Sequence, residues 1–141
     1  MPGGLQRLAH KVCVVTGAAG ALAEVVADRL TSEGAIVVGV DQHEHRVGAH
    51  SRQADLTDED QVRELFASVK NDLGRIDVLY NNVGLNDRED HSALDMPLAV
   101  WERVLAANLT TTFLCCKHAI PTSWTTIHRM VRSSTRHRSW P

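Results

Sequence analysis

The stretch Val12-Cys13-Val14-Val15-Thr16-Gly17-Ala18-Ala19-Gly20-Ala21-Leu22-Ala23 decides the fold. Val12 to Val15 is an unbroken apolar run, as a strand buried on both faces of a parallel sheet requires, and Thr16 and Gly17 close it. Residues 21–33 then carry Leu22, Val25, Val26, Arg29 and Leu30 at helical spacing, with Gly34 where a helix stop belongs. A strand that leads through a glycine-rich turn into a helix is a phosphate site. Backbone N–H groups and the positive end of the helix dipole both face an anion there.

Working outward, Ala35 to Val40 reads as a second buried strand ending in Asp41, and a shorter third spans His50 to Ala54 before Asp55. Gln42 to Ala49, between them, is polar and too short for a crossover helix. Thr57-Asp58-Glu59-Asp60 offers an N-cap and acids suited to a helix start, followed by a stripe of Val62, Leu65, Phe66 and Val69 that ends near Gly74. Ile76 to Tyr80 is the fourth strand, closed by Asn81-Asn82-Val83-Gly84. A polar loop leads to Pro97, and a long helix follows to about Ala119, with Val100, Val104, Leu105, Leu109, Phe113 and Leu114 available for burial. Strands alternating with helices imply a parallel α/β sheet with right-handed crossovers.

The 141 residues suit one domain with a real core, and 43% hydrophobic with 23% charged residues is ordinary globular composition. No apolar run reaches membrane-spanning length and no secretory pattern opens the chain, so the expectation is a cytoplasmic protein with no membrane partner. Cys13, Cys115 and Cys116 form no C-x-x-C pair and sit among apolar residues, which suggests reduced core thiols. All seventeen acidic residues lie at or before Glu102, and the remainder is basic. That shift marks a boundary, expected near residue 122, between a domain over 1–122 and a poorly ordered tail over 123–141. Arg129, Arg132, Arg136 and Arg138, with His128 and His137, form too short a run without a folded reader to indicate nucleic acid. His43, His45 and His50 lack the partner that would complete a metal site.

The turn resembles that of the short-chain dehydrogenase/reductase family, which reads T-G-x-x-x-G-x-G after the first strand. Its glycine positions fall on Gly17, Ala21 and Ala23, with Gly20 one step early. Asp41, 24 residues after Gly17, stands where a carboxylate accepts both ribose hydroxyls and repels a 2′-phosphate, so the cofactor expected is NAD rather than NADP. Asp55-Leu56 matches the family's acidic residue beside the adenine, and Asn81-Asn82-Val83-Gly84 resembles its N-N-A-G motif. The resemblance implies a Rossmann-like doubly wound parallel sheet, truncated after the fourth strand and the helix that follows. It implies NAD-dependent oxidation of small alcohols or reduction of carbonyls, with Thr16, Gly17, Gly20, Ala21, Leu22, Asp41, Asp55, Leu56, Asn82, Val83 and Gly84 at the cofactor.

Asn108 matches the helix Asn that holds a water of the family's proton relay; without catalytic partners it reads as a polar residue on a helix. Those partners are a Ser and a Tyr-x-x-x-Lys pair, and the chain's one Tyr, Tyr80, has Gly84 four residues on. The expectation is therefore an NAD-binding chain without turnover, or a non-catalytic module that pairs through the 97–119 helix.

The tail carries a further expectation. Trp124-Thr125, Met130-Val131 and Trp140-Pro141, read one base earlier, must encode Asp, Gly and Ala, because Trp and Met have single codons. Ser133 to Arg138 then admit apolar, apolar, Asn, Thr, Thr and Ser. That text resembles the family's fifth strand and its catalytic Ser, as in a gene read out of frame from about Ser123. The coding DNA tests it.

Overall fold

The structure, a computed structural model, describes residues 5–89 and 92–131, the stretch 122–131 as backbone only. Four strands, β1 (Val12–Thr16), β2 (Ile36–Asp41), β3 (His50–Gln53) and β4 (Val78–Tyr80), form one parallel sheet in the order β3-β2-β1-β4. The helices are α1 (Ala21–Ser32), α2 (Glu59–Leu73), α3 (Leu98–Leu105) and α4 (Thr111–Val131). Alternation along β1 assigns the two layers. Val12 and Val14 join Val38, Val40, Val62, Phe66 and Val69 on the α2 and α4 side, whereas Cys13 and Val15 join Val37, Ala23 and Ala27 on the α1 side. With helices on both faces, the sheet is doubly wound and Rossmann-like, and β1 is buried at every residue.

Local chemistry sets the helix ends. Asp58 caps α2 by accepting the N–H groups of Asp60 and Gln61, and the Gln61 amide donates back to Asp58 Oδ2 at 3.0 Å. Gly74, at φ 77°, ends it in the left-handed conformation. The stripe Val62, Leu65, Phe66 and Val69 is buried as its spacing requires. Phe66, fully enclosed, contributes about 1.5–3 kcal/mol relative to an exposed position.

Three differences from the periodicity are informative. Leu22 and Val25 are 58% and 66% exposed, and α1 instead packs through Ala23 and Ala27, flanked by Val26 and Leu30. Two small residues let the helix lie close to β1 and β2, which leaves the larger side chains outside. The third strand stops at Gln53, and Ala54 turns in toward the core, its N–H donating to the Asp41 carbonyl at 3.0 Å. Last, the long helix is interrupted and extended. Ala106–Thr110 forms a π-helical turn between α3 and α4: the Thr111 N–H reaches Ala106 O, and the Thr111 hydroxyl donates to the bypassed Ala107 carbonyl at 2.7 Å. Its C-terminal part runs through Pro121 to Val131. Pro121 deprives one carbonyl of its donor, and no further Gly or Pro interrupts the helix up to Val131. Leu109 and Phe113, read as available for burial, are exposed, while Val100 and Leu114 are buried. The rest of the expected tail, 132–141, lies outside the described residues.

Candidate functional site

The site forms where the strand order reverses. β2 and β4 flank β1, and the crevice at their carboxyl ends is where such sheets bind ligands. Gly17, at φ +70°, makes the first bend; a Cβ there would lie 3.1 Å from the Asn82 carbonyl oxygen, so both conformation and space call for glycine. Buried Thr16, just before it, accepts the Asn82 N–H at 2.9 Å and the Val83 N–H at 3.4 Å, and its hydroxyl donates to Tyr80 O. The turn and the loop after β4 are thereby fixed to each other.

The turn is also tied to β2. The Ala18 N–H donates to Val40 O at 3.1 Å, the Ala19 N–H to Asp41 Oδ2 at 3.0 Å, and the Gly20 N–H to Gly17 O at 3.0 Å. Gly20 is the N-cap of α1 and has no side chain to satisfy the helix's first donors. The uncapped end, beginning at Ala21, therefore offers N–H groups and a positive dipole to an anion.

Asp41 closes β2 with Oδ1 accepting the His43 N–H at 2.9 Å. Asp55 accepts both the N–H and the hydroxyl of Thr57, at 2.9 and 2.7 Å. In the π-helical turn, Asn108 Oδ1 accepts the Leu85 N–H at 2.6 Å and its amide donates to Leu85 O at 3.0 Å, fastening the loop after β4 to that turn. Asn81 donates to Cys116 Sγ at 3.5 Å, and its buried Oδ1 is without a partner.

These elements enclose a cleft of about 370 Å³. Of the expected site residues, Gly17, Gly20, Asp41, Asp55, Leu56, Asn82, Val83 and Gly84 line it. Thr16 lies beneath it as a support, Ala21 faces a neighbouring hollow shared with Glu24 and Arg46, and the Leu22 side chain is turned outward. Asn108 does not line the cleft, and both ends of its amide are engaged by Leu85.

Ala19, Gln42, His43, Thr57, Ala107 and Thr111 also line the cleft and were not anticipated as site residues. Adjacency to Asp41 and to Asp55-Leu56 was an available signal for Gln42, His43 and Thr57. Ala107 and Thr111 enter only because the π-helical turn packs over the cleft. His45 is engaged in its own loop, where its Nδ1 accepts the Val47 N–H at 3.3 Å, and no metal-type cluster occurs among the described residues. Burial pushes the Cys13 thiol up to about 11 and the Cys115 thiol up to about 12, which makes both inert core groups.

Comparison with known proteins agrees with this architecture. The family model for short chain dehydrogenases matches residues 11–129. The uncharacterized oxidoreductase YxbG of Bacillus subtilis is 35% identical over 127 residues, covering 82% of this chain and 46% of that protein. Ligand-free aldohexose dehydrogenase of Thermoplasma acidophilum superposes with a TM-score of 0.78 at 29% identity, over 84% of this chain and 46% of the other. A short-chain dehydrogenase/reductase structure from Burkholderia xenovorans gives 0.76 at 33% identity, over 82% and 52%. The chain belongs to the short-chain dehydrogenase family, whose members are oxidoreductases that use nicotinamide cofactors. It spans about half the length of the relatives it matches.

Proposed function

We propose that this chain is the NAD-binding half of an oxidoreductase that transfers hydride between NAD and a small alcohol or carbonyl compound. The observation that carries the reading is the convergence, in one cleft, of the Gly17 bend, Gly20 at the N-cap of α1 and the Asp41 carboxylate. The pyrophosphate lies against the Gly17–Leu22 turn, where a Cβ on Gly17 would press on the Asn82 backbone and where N–H groups face the anion. Asp41 accepts the adenosine ribose hydroxyls and disfavours a 2′-phosphate. Asp55 and Leu56 border the adenine, and Asn82 to Gly84 run alongside the dinucleotide. Ala21 in place of glycine sets a methyl where the backbone approaches the pyrophosphate, whereas Ala23 is fully buried between α1 and the sheet and acts on helix packing.

When bound, NAD supplies the hydride acceptor. This chain's own residues hold and orient it. Among its 141 residues no Tyr-x-x-x-Lys pair supplies the acid and base, since Tyr80 ends β4, so the chain binds without turning over. Asn108 serves to hold the Leu85 loop rather than a proton relay. Free Cys13, Cys115 and Cys116 suit a reducing cytoplasm.

Calorimetry with NAD and NADP tests the reading. Saturable heat with NAD, weaker by tenfold or more with NADP (about 1.4 kcal/mol or more), is expected, and no heat with either sinks it. A hydride-transfer assay at 340 nm with short alcohols is expected to stay flat; turnover would overturn the non-catalytic assignment.

A further inference from the structure

We infer that Asp41 positions the phosphate turn as well as receiving the ribose, so that cofactor choice and turn shape depend on one carboxylate. Oδ2 accepts the Ala19 N–H at 3.0 Å, a contact across 22 residues, and Oδ1 accepts the His43 N–H at 2.9 Å. The other turn amides close on backbone: Ala18 on Val40 and Gly20 on Gly17. Among the described residues, Asp41 is thus the one side chain that holds the middle of the turn.

The two contacts divide the carboxylate's capacity. Each oxygen accepts one amide and keeps further lone-pair sites, so the group still accepts two hydroxyls from the cleft. The amides also fix its rotamer before any ligand arrives, which removes an ordering cost from binding. Because Ala19 is occupied by Asp41, the anion is met by the start of α1.

The ribose contact and the pyrophosphate arm rest on the dinucleotide reading, whereas the tie to Ala19 does not. The positioning role differs from a purely ribose-directed Asp41 in the sign of an effect. Removing a negative charge beside an anion site raises anion affinity by Coulomb's law, whereas removing a support of the turn lowers it. Asp41→Ala is therefore expected to weaken inorganic pyrophosphate, a probe without ribose, and unchanged or tighter pyrophosphate binding overturns the positioning role.

A second measurement needs no ligand. Amide exchange by NMR on the full unliganded chain is expected to quicken at Ala19 by about tenfold or more in Asp41→Ala and Asp41→Asn, as befits a hydrogen bond to a charged acceptor. An asparagine keeps one acceptor for the local His43 N–H and turns its amide toward Ala19. The His43 amide therefore stays protected in Asp41→Asn alone. Unchanged exchange at Ala19 in a folded Asp41→Asn chain overturns the inference even if NAD binds; quickened exchange without any pyrophosphate or NAD binding upholds the tie and sinks the dinucleotide reading instead.

Discussion

The Thr16 hydroxyl accepts the Asn82 N–H at 2.9 Å, joining the end of β1 to the loop after β4 across 66 residues. One side-chain oxygen therefore sets the distance between the two lips of the cleft. Thr16 is buried, and its loss removes the shared acceptor of the Asn82 and Val83 N–H groups. Thr16→Val, which preserves shape, is expected to cost about 1–3 kcal/mol in urea unfolding, and Thr16→Ser to cost less. Equal stability of the valine variant and the parent would refute the role.

Gly17 carries a backbone requirement at φ +70° and a spatial one, with the Asn82 carbonyl at 3.1 Å from a built Cβ. Gly17→Ala is expected to lose about 1–3 kcal/mol of stability and to abolish measurable NAD binding by calorimetry. Ala21→Gly, restoring the family's residue, is expected to strengthen NAD. A Gly17→Ala chain that binds NAD as the parent does would show that the Gly17 bend is not needed for the cofactor.

Acid sensitivity follows from Glu33. It is 3% exposed, and the hydrogen bond from Arg7, with Arg29 beside it, holds its carboxyl below the ordinary range. The folded value lies below the unfolded one, so the stabilisation is complete above the unfolded value of about 4.3 and is lost as pH falls through the folded value. Asp58 and Asp87, also lowered, act in the same direction. Chemical unfolding between pH 7 and pH 3 is expected to show declining stability, with a shallower decline in Glu33→Gln. A decline of identical slope in that variant would exclude Glu33 as a contributor.

Leu109, Phe113 and Ile120 form an exposed apolar stripe along the helix, and β4 pairs with β1 alone among the described strands. Such a surface favours association. Sedimentation velocity is expected to show mass rising with concentration, reduced in Phe113→Glu. A single monomeric species across the range, in the parent, would argue against this.

The sequence by itself determined the four strands, the first two helices and their order. The apolar run at Val12 needed both faces buried, the Asp58 cap and Gly74 stop bounded α2, and the Gly17, Asp41, Asp55 and Asn82 motifs came in the order of the family. Those are local properties, set by periodicity, capping and backbone freedom within a few residues. What the tertiary structure decided lies at long range. Helical spacing nominated Leu22 and Val25, but the closeness of α1 to the sheet selected Ala23 and Ala27. Asp41 was legible as an acceptor, but its bond to Ala19 exists only because β2 lies beside β1. Thr111 and Ala107 reached the cleft through a π-helical turn that no period announces. A residue's neighbours within a turn follow from its own chain, whereas partners tens of residues away are chosen by strand order and the packing of helices on the sheet.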